Sequence, residues 1–274
     1  MKHLLTALLA FSLAACAATQ PRVEQVPDLR VVTLNIYHDK AEWPKRLPLI
    51  IEQLRALDAD VIALQEVLQT AELPNQAQTL GDALGYSVQF VSNDPEGQPH
   101  RYGNALLTRL PVLEQDATAL EPRDDSRSMG HARLRFDGRP LDVYFTHLHH
   151  TPEGAALRRR QLEDARAFIQ RHGDTAPSIV LGDFNAPVSA PELSVLDGYI
   201  DTYGALHPGA DAEGVTTLNP HFFPDYRRRI DHVYARTGRF DIREARIVLD
   251  TPGVDGTWPS DHFGTFVVLR PTAR

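Results

Sequence analysis

Asp183 and Asn185 stand in the tetrapeptide GDFN (182–185), directly after the apolar run SIVL (178–181). Asp and Asn are ordinary turn formers, so one such stretch says little. The pattern recurs, however. VVTL ends in Asn35, VIAL in Gln65 and Glu66, and VYFT in His147. Ile230 leads into Asp231, and Ser260, Asp261 and His262 immediately precede the last apolar run. Asn35, Glu66, Asp183, Asn185, Asp231 and Asp261 are hard oxygen donors. His147 and His262 can donate hydrogen bonds or move protons near neutral pH. The only cysteine is Cys16, close to the N-terminus, so the body of the chain offers no thiolate for a soft metal. Carboxylate and amide oxygens suit Mg²⁺ or Mn²⁺, which keep water ligands and bind phosphate oxygens. The set points to metal-assisted attack of water on a phosphate ester.

These groups act together only if the elements carrying them end on one edge. Strands are expected at 29–35, 60–66, 86–91, 104–108, 131–136, 141–147, 178–184, 229–235, 243–249 and 264–270. Asp137 and Gly138 between two of them signal a hairpin. Helices are expected at 44–57, 76–84 and about 153–171. The first carries Leu47, Ile50, Ile51, Leu54 and Leu57 at helical spacing, with Pro44 in its first turn. Residues 201–228, rich in Gly, Pro, His and Asp, read as a long irregular loop. Strands outnumber helices and several are apolar on both faces, which argues for two packed sheets with helices outside them. Loops at the ends of such strands are where a rigid frame presents chemistry.

The 274 residues, 42% of them hydrophobic, suit one large domain, and the net charge of −8 gives no general footprint for nucleic acid. Arginine triplets at 158–160 and 227–229 read as solvated surface. Residues 1–15 have Lys2, an apolar run and small residues before Cys16, the layout of a secretory signal peptide. LAAC (13–16) resembles the bacterial lipobox, which implies cleavage before Cys16 and lipid attachment to its sulfur. Ala17, where Asp would favour inner-membrane retention, points to the outer membrane, facing the periplasm. Residues 16–27 read as a tether and 28–274 as the functional domain, expected to be a monomer held at the cell envelope by its anchor.

LRVVTLNIY, DVIALQEV, YGNALLTR, FTHLHH, VLGDFN, RRIDHVY and WPSDHFGTFVVL resemble, in order, the motifs of the endonuclease/exonuclease/phosphatase superfamily. The resemblance covers about residues 29–270. It implies a DNase I-like α/β (α+β) four-layer sandwich of two mixed β-sheets flanked by helices, and hydrolysis of a phosphate ester, a phosphodiester foremost. It places Asn35, Glu66 and Asp261 at a Mg²⁺ or Mn²⁺ ion, with Glu66 as main ligand. His147 would contact the phosphate, Asn185 would bind a phosphate oxygen, and Asp183 would orient or deprotonate the attacking water. Asp231 would orient His262, which would stabilise the charged transition state; whether Asp183 or His262 is the general base stays open. Asn104 is expected to be structural or to stand behind the ligands, Trp43 and Arg46 to pack, and His149 and His150 to lie in an exposed loop.

Three other readings compete. A nuclease acting on extracellular or periplasmic DNA or RNA would use the same residues. A non-catalytic envelope lipoprotein with a degenerate fold would have lost an acidic ligand, and none is missing. HLHH (147–150) resembles half of a zinc-hydrolase signature, but Thr151 and Pro152 follow where that signature needs an aspartate.

Overall fold

The computed structural model describes residues 26–173 and 176–272. Cys16, the segment before it and most of the tether therefore lie outside the described residues. Two six-stranded sheets pack face to face. The first runs β11 (Phe240–Val248), β12 (Gly264–Pro271), β1 (Leu29–Asn35), β2 (Val61–Gln69), β4 (Arg101–Thr108), β3 (Ser87–Ser92). The second runs β5 (Val112–Ala119), β6 (Ser128–Phe136), β7 (Arg139–His147), β8 (Ser178–Asp183), β10 (Asp231–Arg236), β9 (Tyr199–Asp201). Each sheet has one parallel pair at its centre, β1 with β2 and β7 with β8. Parallel neighbours need a crossover, and α1 (Trp43–Leu57) and α3 (Ala155–His172) supply it. Two shorter helices complete the set, α2 (Gln76–Leu84) and α4 (Thr202–Leu206).

The doubly apolar strands explain the layering. Successive side chains point to opposite faces. Val31 of β1 and Val143 and Phe145 of β7 join the core between the sheets. Val32 and Leu34 instead meet Ile50, Leu54 and Leu57 of α1, and Tyr144 meets Phe168 of α3. Sheet, sheet and the helices on either side make the four-layer, DNase I-like α/β sandwich.

Four sequence readings need correction. β5 was not anticipated, nor was the three-residue β9: β5 is an exposed edge strand, VLEQDATA, with no buried face to impose an apolar alternation. Its Glu114 and Asp116 are the kind of charges that keep an edge from pairing with another chain. Residues 201–228 are not wholly irregular, because α4 opens them. Each arginine triplet contains one buried member. Arg158 pairs with Glu192 at 2.9 Å, and Arg229 with Asp201 at 2.9 Å and Asp211 at 2.7 Å. Finally, β2 does not stop at residue 66 but continues to Gln69.

Candidate active site

β8 comes unusually close to β7 at its end. A Cβ on Gly182 would lie 1.9 Å from the Thr146 carbonyl oxygen, and its φ of 145° is one that other residues rarely adopt. This approach sets the register. Asp183 pairs with His147 on one side and with Asp231 on the other, so three adjacent strands present these side chains in a row. β7 and β8 contribute their ends and β10 its start, because β10 runs antiparallel to β8.

The other sheet supplies the facing wall. Asn35, at the end of β1, donates from Nδ2 to Asp183 Oδ2 at 3.1 Å and so bridges the two sheets. The register of β2 against β4 breaks between Leu64 and Val67, and Glu66 sits in that bulge with φ 58°. Bulges re-aim side chains and recur beside active sites. The segment before β12 is drawn to β1, since the Ser260 hydroxyl donates to the Asn35 carbonyl at 2.6 Å. Asp261 and His262 thereby join the same cavity, of about 610 Å³, which Glu66, His147, Asp183 and Asn185 also line.

Arg46 holds this corner together from behind. It is fully buried, and its guanidinium donates to the carbonyls of Ile36, Tyr37, His38, Lys40 and Pro259 at 2.7–3.1 Å. It also lies over the Trp43 ring at 5.3 Å. The segment after Asn35 and the segment before Asp261 are thus fixed by one side chain, which is more than packing. Arg46→Ala would orphan these carbonyls and is expected to destabilise the fold by at least about 3 kcal/mol. Arg46→Lys should recover only part of this, because a point-like ammonium cannot span the fork. Urea unfolding measures it, and a loss below about 1 kcal/mol for the alanine variant would contradict this role.

The electrostatics divide the two histidines. Burial would depress His262, but Asp231, accepting from its Nδ1 at 2.9 Å, together with Asp183 and Asp261 raises it well above the usual imidazole value. His262 is therefore a cation whose Nε2 is left for the cavity. Burial, with the Arg127 charge next, pushes His147 well below that value, so it is neutral; its Nε2 lies 3.5 Å from Asp183 Oδ2. Burial and the neighbouring Asp231 charge raise Asp183 to about 7. Burial raises Asp261 to about 6, with the His262 charge opposing and the Glu66 charge reinforcing the shift.

The donor set fits a hard divalent cation. Glu66 and Asp261 feel each other's charge, line one cavity, and form no ion pair with a described residue. The tightest group of metal-capable side chains is a different one. Asp183, Asp231 and His262 offer atoms within 4.8 Å of one another. Those atoms are already engaged, His262 Nδ1 with Asp231 and Asp183 Oδ2 with Asn35, so this group is a hydrogen-bonded network. The HLHH histidines do not converge on a metal. His147 faces Asp183, His149 Nδ1 binds Asp125 at 2.9 Å, and His150 Nδ1 meets Arg127 at 3.3 Å. His149 is thus largely buried and paired, contrary to the exposed loop expected of it, while His150 is exposed.

All eight expected site residues except Asp231 and Asn35 line the cavity directly, and those two stand immediately behind it, each bonded to a lining residue. Asn185 gives one amide hydrogen to the Leu148 carbonyl at 3.0 Å and keeps the other. Asn104 is buried opposite the bulge, its Nδ2 reaching Ser128 of the other sheet at 3.4 Å. Sequence reasoning missed Tyr102 and Arg127, which line the same cavity as Glu66 and His147. Tyr102 could have been found from its place in YGNALLTR; Arg127, in DSRSMG, carries no local signal.

Comparison with known proteins agrees with this architecture. The profile of the Endonuclease/Exonuclease/phosphatase family matches residues 32–262. The uncharacterized protein YbhP of Escherichia coli (strain K12) is 25% identical over 182 residues, 60% of this chain and 70% of that protein. Among solved structures, D. rerio TDP2 complexed with single strand DNA product has the same fold. The TM-score is 0.74 at 20% identity, covering 89% of this chain and 99% of that one. The Bacteroides thetaiotaomicron mannosyl-6-phosphatase Bt3783 gives a TM-score of 0.71 at 18% identity, covering 88% and 99%.

Proposed function

The chain belongs to the endonuclease/exonuclease/phosphatase family of phosphoester hydrolases, and from that premise we propose that it is a Mg²⁺- or Mn²⁺-dependent phosphodiesterase using in-line attack of water. The observation that carries the reading is one cavity that holds both a hydrogen-bonded acid–imidazolium pair and two carboxylates, Glu66 and Asp261, that make no contact ion pair with a described residue.

Glu66 and Asp261 would hold the cation, which would supply Lewis-acid charge stabilisation to the phosphoryl oxygens, while Asn35, expected from the sequence as a ligand, stands behind the cavity with its carboxamide bonded to Asp183 and to the Tyr37 N–H at 3.0 Å. Asp183, with its proton affinity raised to about 7, is matched to take a proton from the attacking water near neutral pH. The backbone N–H of Asn185 donates to Asp183 Oδ1 at 2.9 Å and fixes the orientation of that carboxylate. The cationic His262 places a donor where charge develops on the phosphoryl group, and Asp231 behind it fixes its tautomer. That arrangement favours Asp183 over His262 as general base, since a protonated imidazole has no lone pair to offer. The remaining amide hydrogen of Asn185 and the neutral His147 complete the phosphate contacts. Tyr102 of β4, with Arg127 and His150 from loops, lines the cavity together with Leu218, Phe223 and Tyr226 from another loop, leaving room for two ester arms. TDP2 with its single strand DNA product and the mannosyl-6-phosphatase mark the range of phosphate chemistry on this fold.

The test is a screen in Mg²⁺ and Mn²⁺ of bis(p-nitrophenyl) phosphate, p-nitrophenyl phosphate, DNA, RNA and choline phospholipids. Faster turnover of the diester than of the monoester is expected. Preference for the monoester would overturn the diester assignment, preference for DNA or RNA would make the chain a nuclease, and no turnover of any of them would favour a binding role.

We also propose that the chain is anchored to the envelope, outer membrane foremost, through lipid on Cys16, the only thiol in the sequence. Each buried methylene of an acyl chain contributes about 0.8 kcal/mol to membrane binding. Cys16→Ser is therefore expected to move the protein from the membrane to the soluble fraction with its hydrolytic activity intact. Unchanged membrane fractionation would refute the anchor.

A further inference from the structure

One loop, residues 216–230, builds the outer wall of the active-site cavity, and it is tied to the catalytic segment. The Thr217 N–H donates to the Arg228 carbonyl at 3.0 Å, and the Thr217 hydroxyl accepts the N–H of Ile230 at 3.0 Å. Phe263 N–H donates to the Thr217 carbonyl at 2.6 Å, and Asn219 N–H to the Asp261 carbonyl at 2.8 Å. Asn219 Nδ2 also donates to the Ser260 carbonyl at 3.0 Å. The loop is therefore preorganised relative to Asp261 and His262.

The side chains it turns to the cavity are of two kinds. Leu218, Phe223 and Ile230 are apolar, and the Phe223 ring stands edge-on to the His262 ring, 6.4 Å away at 85°. Tyr226 and Arg228 are more exposed, with the guanidinium 4.8 Å over the tyrosine ring. Arg228 forms no ion pair with a described residue, whereas its neighbour Arg229 is locked to Asp201 and Asp211. Two other arginines line the cavity: Arg158 is locked to Glu192 at 2.9 Å, and Arg127 meets His150 Nδ1 at 3.3 Å. Of the three, Arg228 alone has no hydrogen-bonded or ionic side-chain partner among the described residues. A cavity of about 610 Å³ lies within the range of small-molecule pockets, roughly 300–1,000 Å³, and exceeds what a phosphoryl group needs.

We propose that this loop is a specificity subsite for a small organophosphate, in which a flat ring packs against Phe223 and a second anionic group meets Arg228. Chemically this is a phosphodiester with a nucleotide arm that carries a second, terminal phosphate, and AMP and adenosine 3′,5′-bisphosphate are its product-like fragments. The inference rests on the phosphoesterase reading of the same cavity. A ring beside His262 gains stacking contact without ordering a mobile loop, and a guanidinium already held over Tyr226 presents its fork at little entropic cost. The net charge of −8 works against a long polyanion at the same mouth.

Calorimetry on the full chain in Mg²⁺ tests this with inorganic phosphate, AMP, adenosine 3′,5′-bisphosphate and a ten-residue oligothymidylate, released phosphate being assayed in the same samples. Affinity is expected to rise about tenfold from phosphate to AMP, as base stacking does elsewhere. It should rise about tenfold again from AMP to the bisphosphate, through the charge-assisted contact. Phe223→Ala should remove most of the first step and Arg228→Gln most of the second. Equal affinity for AMP and the bisphosphate, or an unchanged second step in Arg228→Gln, would overturn the proposal. Oligothymidylate binding more than tenfold tighter than the bisphosphate would overturn it in favour of a polymer. Hydrolysis of bis(p-nitrophenyl) phosphate, run in parallel, separates the two failures. An active enzyme with a flat affinity series overturns the subsite alone, and an inert protein with a stepped series overturns the reaction alone.

Discussion

His262→Ala is expected to lower kcat by on the order of 10²–10³, the effect of removing one preorganised donor from a developing oxyanion. The imidazole is buried, cationic and bonded through Nδ1 to Asp231, so only Nε2 remains for the substrate. Asp231→Asn should cost a comparable factor, because an amide neither holds the imidazolium charge nor fixes the same tautomer. Residues that act as one unit are not additive. The double variant should therefore be little slower than His262→Ala. Stability should run the other way. His262→Ala strands Asp231, whose side chain is fully buried and whose Oδ1 already has no partner. Removing one partner of a buried pair is typically destabilising by about 3–5 kcal/mol. Adding Asp231→Asn should restore part of that loss. Multiplicative losses in kcat, or a double variant less stable than His262→Ala, would separate the pair.

Glu66→Gln is expected to be the more severe substitution for metal binding. It removes one of two carboxylates that feel each other's charge and make no contact ion pair with a described residue, and it does so at a bulge where the Glu66 backbone has φ 58°. A loss of several kcal/mol of transition-state stabilisation corresponds to a fall in kcat/KM of on the order of 10³. The required metal concentration should rise together with it. Asp261 gives this site a pH dependence. Its folded value lies near 6 against an ordinary 3.8, so its contribution to the stability of the metal-free protein is complete below about 4 and is lost as pH rises through 6. Metal binding needs the same group deprotonated. The rise in Tm on adding Mg²⁺ should therefore be small at pH 5 and grow until above pH 7. Asp183, raised to about 7, reinforces this sign, whereas the depressed His147 shifts metal-free and metal-loaded protein alike and drops out of the difference. A Mg²⁺-induced Tm shift independent of pH would take Asp261 out of the ligand set.

Much of this was legible in the sequence because strands buried on both faces carry an unbroken apolar run, and a polar residue at the end of such a run is conspicuous. Asn35, His147 and Asp183 were visible for that reason. What could not be read was who faces whom. The register that sets Asp183 between His147 and Asp231 depends on the close approach at Gly182, which only the paired strands reveal. Glu66 could be named but not its bulge, because a strand that continues to Gln69 looks on paper like one that stops. Buried arginines are hidden for a related reason. Arg158 and Arg229 read as surface charge until Glu192 and Asp201, 34 and 28 residues away, are brought against them. Arg46 resembled a packing residue, and only the fold shows that it ties both ends of the metal corner.

The most direct test of the central claim is hydrolysis of bis(p-nitrophenyl) phosphate by the wild-type chain before and after stripping with EDTA, and again on titration with Mg²⁺ or Mn²⁺. Turnover should vanish on stripping, because Glu66 and Asp261 then oppose an anionic substrate with no metal to offset their charge, and it should return with added metal. Undiminished turnover in EDTA would contradict the account.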